Sequence, residues 1–326
     1  MQASKKPSPD IPDLTNLEDF FAYFLGPVET LSDVELESRL RVLSKKILPL
    51  KILMPLLFLA AFAGYFFAVI SIGFGNGLII ALLLLAICGV VYVRMFLLKI
   101  EIKRLVGHNA VRNVLADVFE LAEYSPVGFI SQDEIEGTAL IDYNWNSCLG
   151  SDFIRGNYRG VSFRLSDIRL VQQDSDPDGS QSIRTVFKGQ WLIIELNRSL
   201  EGTLRLRERK VEGKGMKSDL ETENVVFNRK YQILTTDPHT AFYILTPHFM
   251  EYIVNMDIQA NARTFMSFTG DRVHIAFDNG RDLFETNEKE ILRGMNVSQL
   301  REQMGREVSY MTALIDELLK NNYLFQ

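Results

Sequence analysis

Cysteine is nearly missing from this chain: Cys88 and Cys148 are the two among 326 residues. One lies inside an apolar block and the other stands alone in the polar part, so a disulfide framework and a Cys-based zinc site are both excluded as expectations. An excess of positive charge is missing too. The formal net charge is −6 and the pI is near 5.4, whereas a nucleic-acid binder needs a strongly basic face to displace phosphate counterions. Nucleic acid is therefore not an expected partner. The four histidines, His108, His239, His248 and His274, form no H-x-x-x-H or H-E-x-x-H pair, so no metal site follows from spacing. There is no G-x-S-x-G, no P-loop and no G-x-G-x-x-G; Gly213-Lys214-Gly215 lacks the Ser or Thr a phosphate loop requires. No catalytic, cofactor-binding or metal residue is assigned.

The most informative absence is charge between Ile52 and Val93. Two runs of about 20 apolar residues match two crossings of a hydrocarbon core about 30 Å thick. The first span is expected over 52–73 and the second over 78–93, with Gly73-Phe74-Gly75-Asn76-Gly77 as the turn. The hairpin as a whole occupies 51–97. Arg39, Arg41, Lys45, Lys46 and Lys51 precede it, and Arg94, Lys99, Lys103 and Arg104 follow. Positive flanks stay on the cytoplasmic side, so both termini are expected to be cytoplasmic. A proton relay or ion path normally places an ionisable group within the spans; here there is none, and the hairpin reads as an anchor in contact with lipid.

Around the hairpin the sequence predicts a flexible tail over 1–13, cytoplasmic helices over 14–50, a helical stalk over 98–125 and a cytoplasmic domain over 126–326. Ser32-Asp33-Val34-Glu35 is a capping box that opens a helix ending before Pro49. Strands are expected at Val161–Leu165, Ile183–Leu196, Thr203–Arg209 and Val225–Leu234, rich in β-branched and aromatic residues. Asp237-Pro238 and Thr246-Pro247 each place an N-cap before a proline at the first helical position. A hairpin is expected from Thr264–Phe268 to Arg272–Phe277, and an amphipathic helix over Ser298–Lys320. The fold class is α+β: a transmembrane hairpin followed by a mainly antiparallel β domain with peripheral helices.

Several runs carry a resemblance. Phe187-Lys188-Gly189-Gln190-Trp191 precedes Glu195-Leu196-Asn197. Phe227-Asn228-Arg229-Lys230-Tyr231, Thr236-Asp237-Pro238, Tyr243-Ile244-Leu245-Thr246-Pro247 and Met250-Glu251 follow in order, with Asp152, Gly156, Gly160, Phe163 and Ser166 upstream. Together these resemble a bacterial membrane-protein family catalogued as domain of unknown function thirty-one thirty-seven. The resemblance spans roughly residues 30 to 325. It implies two membrane helices in a bacterial inner membrane plus a cytoplasmic domain, and no activity. At Gly150-Ser151-Asp152 a middle acidic residue of the pattern is replaced by serine.

Among sites, Asp174, Asp176, Asp178 and Gly179 open like a calcium loop, but Thr185 stands where the bidentate Glu belongs, so a polar hairpin loop is expected. Asp133, Glu134 and Glu136 are expected as a solvated rim. Arg205, Arg207, Arg209 and Lys210 alternate with Leu204 and Leu206, which puts them on one strand face, open to solvent or to anionic headgroups. Asp237 and His239 are the pair an enzyme would use as carboxylate and base. The function expected is a membrane-anchored binding or scaffolding module with a protein partner or a second copy of itself. The alternatives are a membrane-bound hydrolase with its site near Asp237 and His239, and a subunit of a transport or envelope complex.

Overall fold

The structure, a computed structural model, describes residues 28–72, 74–175, 181–210, 217–260, 262–284 and 296–325. The expected tail, residues 14–27 of the helices expected over 14–50, Asp176–Gly179 and Gly213–Gly215 lie outside the described residues. Two compact units divide the chain: one takes the described parts of 22–111 and 286–302, the other those of 112–285 and 303–326. The second unit thus begins within the expected stalk.

The first unit is built on α1 (Asp33–Ile72) and α2 (Phe74–Val106), followed by one π-helical turn (Gly107–Val111). Ser32 caps α1 as its sequence requires: Glu35 N–H reaches the Ser32 hydroxyl at 3.4 Å, and the Ser32 N–H donates to Glu35 at 3.0 Å. Arg301 forks onto Asp33 at 2.9 and 3.0 Å. Contrary to expectation, α1 does not stop before Pro49 but runs through both Pro49 and Pro55. A proline removes a single N–H and costs about 3 kcal/mol in an isolated helix; here packing continues on both sides of the break. Leu36, Leu40, Leu43 and Ile47 are buried before it and Ala61 after it. The expected turn also contracts, because α2 already begins at Phe74.

Both helices are long and apolar enough to cross a membrane. They touch through small side chains: Ala61 and Cys88 are buried, and a Cβ added at Gly64 would sit 3.7 Å from Leu84. Close approach over small residues is how helices associate where lipid is as apolar as leucine. Between Ile52 and Val93 much of their described surface is exposed hydrocarbon, including Phe62 at 67% and Ile70 at 83%.

The second unit is α+β. Its strands are β1 (Leu121–Ser125), β2 (Ser147–Tyr158), β3 (Val161–Ser175), β4 (Gln181–Glu208), β5 (Tyr231–Thr235) and β6 (Arg263–Asp278). All pairings are antiparallel, in the order β1-β2-β3-β4-β5, with β6 along the free side of β4. The helices are α3 (Arg112–Val118), α4 (Gln132–Glu136), α5 (Val225–Lys230), α6 (Pro238–Ile244), α7 (Pro247–Ala260), α8 (Val297–Leu319), of which 303–319 belong to this unit, and α9 (Asn322–Phe325).

Three strand expectations change. The two strands expected on either side of Glu201-Gly202 are one, β4. Its length lets both halves of β6 pair with it, so the expected 264–277 hairpin does not form. Phe265–Phe268 lie against Leu204–Arg207 and Arg272–Asp278 against Gly189–Glu195, with Gly270 (φ 57°) opposite Leu200 where the register shifts. The strand expected over Val225–Leu234 opens as α5 instead. Asn224 caps it by accepting the Phe227 N–H at 3.0 Å, and buried Phe227 stacks on Tyr231 at 4.9 Å.

Register assigns the two faces of the sheet. Phe163, Leu165, Leu192, Ile194, Val273 and Ile275 line one. Phe277, on that face too, meets Tyr310 of α8 edge-on at 5.4 Å. Met304, Val308, Met311, Ile315 and Leu318 of α8 are buried, the stripe its periodicity announces. On this side Asp152 accepts the Tyr124 hydroxyl at 2.5 Å, and Asp167 accepts the Leu283 N–H at 2.7 Å. Burial, with Asp152 as a like charge, pushes the Asp167 carboxyl well above its usual range. The opposite face carries the site.

Candidate binding groove

On the opposite face, Ile168, Leu170, Phe187, Trp191, Ile193, Phe265 and Ala276 make an apolar floor. The segment between β1 and β2 covers it, burying Ile130, Ile135, Leu140 and Ile141 against it. Polar contacts hold this cover. The Ile130 N–H donates to Ser166 at 3.2 Å, and Ser131 caps α4 by accepting the Glu134 N–H at 3.4 Å. Arg207, opposite Phe265 in register, donates to the carbonyls of Leu140 (3.1 Å) and Ala139 (2.5 Å) and pairs with Asp142 at 3.2 Å. Glu134 accepts a two-pronged hydrogen bond from Arg164 at 2.6 and 2.7 Å, and a third from Arg272 at 3.1 Å. Glycine is required at 150, where a Cβ would lie 2.4 Å from Phe129 of the cover. It is equally required at 189 (φ 155°), where a Cβ would meet the Phe277 carbonyl oxygen of β6 at 1.9 Å. These contacts account physically for the Phe187-to-Trp191 run: Phe187 and Trp191 form the floor, and Gly189 admits β6.

Past Glu134 the cover ends, and the same face opens into a groove of about 740 Å³. Its charged lining is Glu123, Glu134, Glu195, Arg155, Arg164 and Arg272, with Asn157 and Ser162 between them. Two cross-strand rows generate this lining. In one, Glu123, Arg155, Arg164, Ile193 and His274 stand opposite each other in turn; one step along, Asn157 faces Ser162 and Glu195 faces Arg272.

The Arg164 hydrogen bond holds the Glu134 carboxyl below the usual range despite partial burial, and Glu134 in turn raises Arg164. His274 ends the first row where floor meets groove. It is 3% exposed and accepts the Trp191 indole N–H on Nδ1 at 3.3 Å, so its ring is neutral with the proton on Nε2. Burial lowers its pKa to about 4, with Glu134 opposing.

The residues singled out in sequence are placed elsewhere. Arg207 is a clamp on the cover, with its side chain 13% exposed and its pKa drawn down by burial. Lys210 sits over the Tyr143 ring at 4.2 Å, and Arg209 donates to Ser218 at 3.2 Å. Arg205 lies between Leu234 of β5 and Ser267 of β6 in the register. Asp237 is the N-cap of α6: it accepts from His239 N–H (3.0 Å), Thr240 N–H (3.1 Å) and the Thr240 hydroxyl (2.6 Å), the last of which chiefly lowers its pKa. His239 is exposed in the first turn of α6, and neither residue lines the groove. Asp133 and Glu136 are exposed; Glu134 is not a solvated rim, because two arginines draw it inward. Cys88 and Cys148 are both free, and burial raises the Cys148 thiol to about 11. Among the described residues no three His, Cys, Asp or Glu side chains are placed to share a metal. Sequence reading passed over Arg155, Asn157, Arg164, Glu195 and Arg272. Arg164 was visible as the polar member of an alternating strand, but its neighbours are set by register.

The family described as a protein of unknown function (DUF3137) matches residues 185–320, the part that holds β4 to α8. The chain resembles that family there, in the half where the Tyr-Ile-Leu-Thr-Pro run lies. No curated protein matches. A solved structure that matches is the mycobacterial trehalose monomycolate transport factor A, TtfA, at 13% identity, over 59% of this chain and 89% of that one, with a TM-score of 0.29. A likeness at that level carries no argument here.

Proposed function

We propose that this chain is a membrane-anchored binding module. The hairpin crosses a bacterial inner membrane twice with both termini cytoplasmic, and the sheet unit presents its groove to a partner on that side. The observation that carries this reading is the surface of α1 and α2: exposed hydrocarbon with no ionisable residue from Ile52 to Val93. The basic flanks support the orientation. The groove supports binding rather than chemistry, because its central carboxylate is locked between two guanidiniums. An enzyme centred on Asp237 and His239 draws no support from a carboxylate whose oxygens are occupied in capping a helix.

Topology is tested in a C88A/C148A background with single cysteines at Asn76 and Glu201. A membrane-impermeant maleimide should label N76C on intact cells and E201C only after permeabilisation. Labelling of E201C from outside, or extraction of the chain by alkaline carbonate, would overturn the anchor reading. Photo-crosslinking residues placed at Arg155 and at the exposed Leu149 test the groove. Adducts should concentrate at 155, and equal yields at both positions would remove the groove from the proposal.

A further inference from the structure

Two polar atoms of the groove are buried without a hydrogen-bond partner: Arg272 Nε and Asn157 Oδ1. Such groups are rare in folded proteins, and each asks for an explanation. Both belong to the second cross-strand row, Asn157–Ser162 and Glu195–Arg272. Arg272 uses Nη1 on Glu134 at 3.1 Å, and Nε forms an ion pair with the exposed Asp271 at 3.5 Å that lacks hydrogen-bond geometry. The Nε–Nη2 edge, the side of a guanidinium that binds an oxyanion through two parallel bonds, therefore makes no hydrogen bond among the described residues. Glu195 stands directly opposite Arg272, yet the two do not pair, because Arg272 is turned to Glu134. Glu195 is exposed and acts on Arg164 through space, with no close ion pair among the described residues.

The charge balance narrows what fits. The three arginines of the lining face three glutamates, so the groove holds no net charge to concentrate a simple anion or a simple cation. It holds instead a guanidinium edge that makes no hydrogen bond and an exposed carboxylate, at directly opposed positions of neighbouring strands, with an amide acceptor that makes none farther along the row. We infer that the groove binds a small zwitterion: its oxyanion lies on the Nε–Nη2 edge of Arg272, its primary ammonium on Glu195, and a further hydroxyl or N–H group of the ligand donates to Asn157 Oδ1. The ligand class is an amine and a phosphate or carboxylate a few bonds apart, as in a phosphoethanolamine headgroup or its soluble counterparts. This rests on the groove being the module's binding surface.

The test uses the full chain purified in a non-ionic detergent and titrated calorimetrically with four probes: sn-glycero-3-phosphoethanolamine, inorganic phosphate, ethylammonium and dihexanoyl phosphatidylethanolamine. The glycerophosphoethanolamine should bind at least about tenfold more tightly than phosphate or ethylammonium, the gain expected when both charged ends are held. Glu195→Gln and Arg272→Lys, which keeps charge but loses the two-pronged edge, should each weaken it about tenfold. Tighter binding of the short-chain lipid identifies a membrane headgroup as the source, and equal binding identifies a soluble zwitterion; both support the assignment. Phosphate binding as tightly as the zwitterion, or an unaffected Glu195→Gln, overturns it. Failure of every probe overturns the ligand class, while the anchor and groove readings stand or fall on labelling and crosslinking. If Arg272→Lys unfolds in a thermal scan, Glu195→Gln at its exposed position decides alone.

Discussion

One sheet face serves two purposes in this protein. At the covered end, Trp191, Ile193 and Leu170 lie under the cover, and the arginine that reaches them, Arg207, spends its donors on cover carbonyls. At the open end, the same alternation along β3, β4 and β6 presents Arg164, Glu195 and Arg272 to a groove. The alternation is the same at both ends, but the residues it presents change from apolar to charged where the covering segment stops. An arginine on a strand is thus a structural clamp or an available ligand group according to what a distant segment does with it. Glu134 marks the border, since its helix belongs to the cover and its carboxylate to the groove.

Titrating the border residue His274 should have the largest effect. Its ring is neutral in the fold, with a pKa lowered to about 4 by burial, against about 6.5 unfolded. Between those values the unfolded chain binds more protons, so stability is full above pH 6.5 and is lost as pH falls towards 4. The loss approaches about 3 kcal/mol. Asp167, whose carboxyl is raised by burial, pulls the other way in acid. The readout is therefore the difference between the parent and His274→Gln, which keeps an acceptor for Trp191 without titrating. Denaturant midpoints at pH 7 and pH 5 should converge in the variant relative to the parent; parallel behaviour would mean that His274 is not buried neutral.

Next in size is Arg207→Gln. Removing two charged hydrogen bonds and an ion pair from a mostly buried guanidinium should cost about 2 kcal/mol. The loss should appear as faster amide exchange over residues 138–143, with β3 and β4 still protected. A variant as stable as the parent would return Arg207 to the solvent-facing role its sequence position suggests.

That last contrast shows where sequence reading stopped. The charge-free block, the Ser32 capping box, the Asp-Pro and Thr-Pro helix starts and the α8 stripe were legible because each is local: cap, proline and periodicity act within a few residues. Pro49 misled because a helix inside packed or lipid surroundings tolerates a proline that would end it in water. β4 and β6 misled because Glu201-Gly202 and Gly270 read as turns, although irregular pairing can absorb them within strands. The groove was not legible at all. Arg155, Arg164, Glu195 and Arg272 are spread over more than 100 positions, and only the register of four strands puts them together. Arg205, Arg207, Arg209 and Lys210 looked like a site because they are contiguous, and contiguity is a poor guide to which charges remain unspent.

Glu134→Gln, smaller again, loosens the border. The Arg164 bond lowers the Glu134 pKa, so its contribution is present above the unfolded value near 4.5 and is lost as pH falls through the folded one. Both partners are 18% exposed, and after allowing for solvent screening the change should cost about 1 kcal/mol at neutral pH. It should also raise amide exchange in α4 while leaving residues 138–143 as they were, the reverse of Arg207→Gln.

The smallest effect sharpens the comparison most. Arg155 is 62% exposed, and its nearest carboxylate, Glu123, is 3.9 Å away and itself 70% exposed. It faces Arg164 across the strand pair, a like-charge contact that gains nothing for the fold. Arg155→Ala should therefore leave the thermal midpoint within about 0.5 kcal/mol of the parent, although it stands on the same sheet face as the clamp at Arg207. A clear loss of stability would mean that the open end of this face is held together by its charges, as the covered end is. An unchanged midpoint leaves Arg155 with no structural duty, and crosslinking from that position then reads the groove without disturbing the fold.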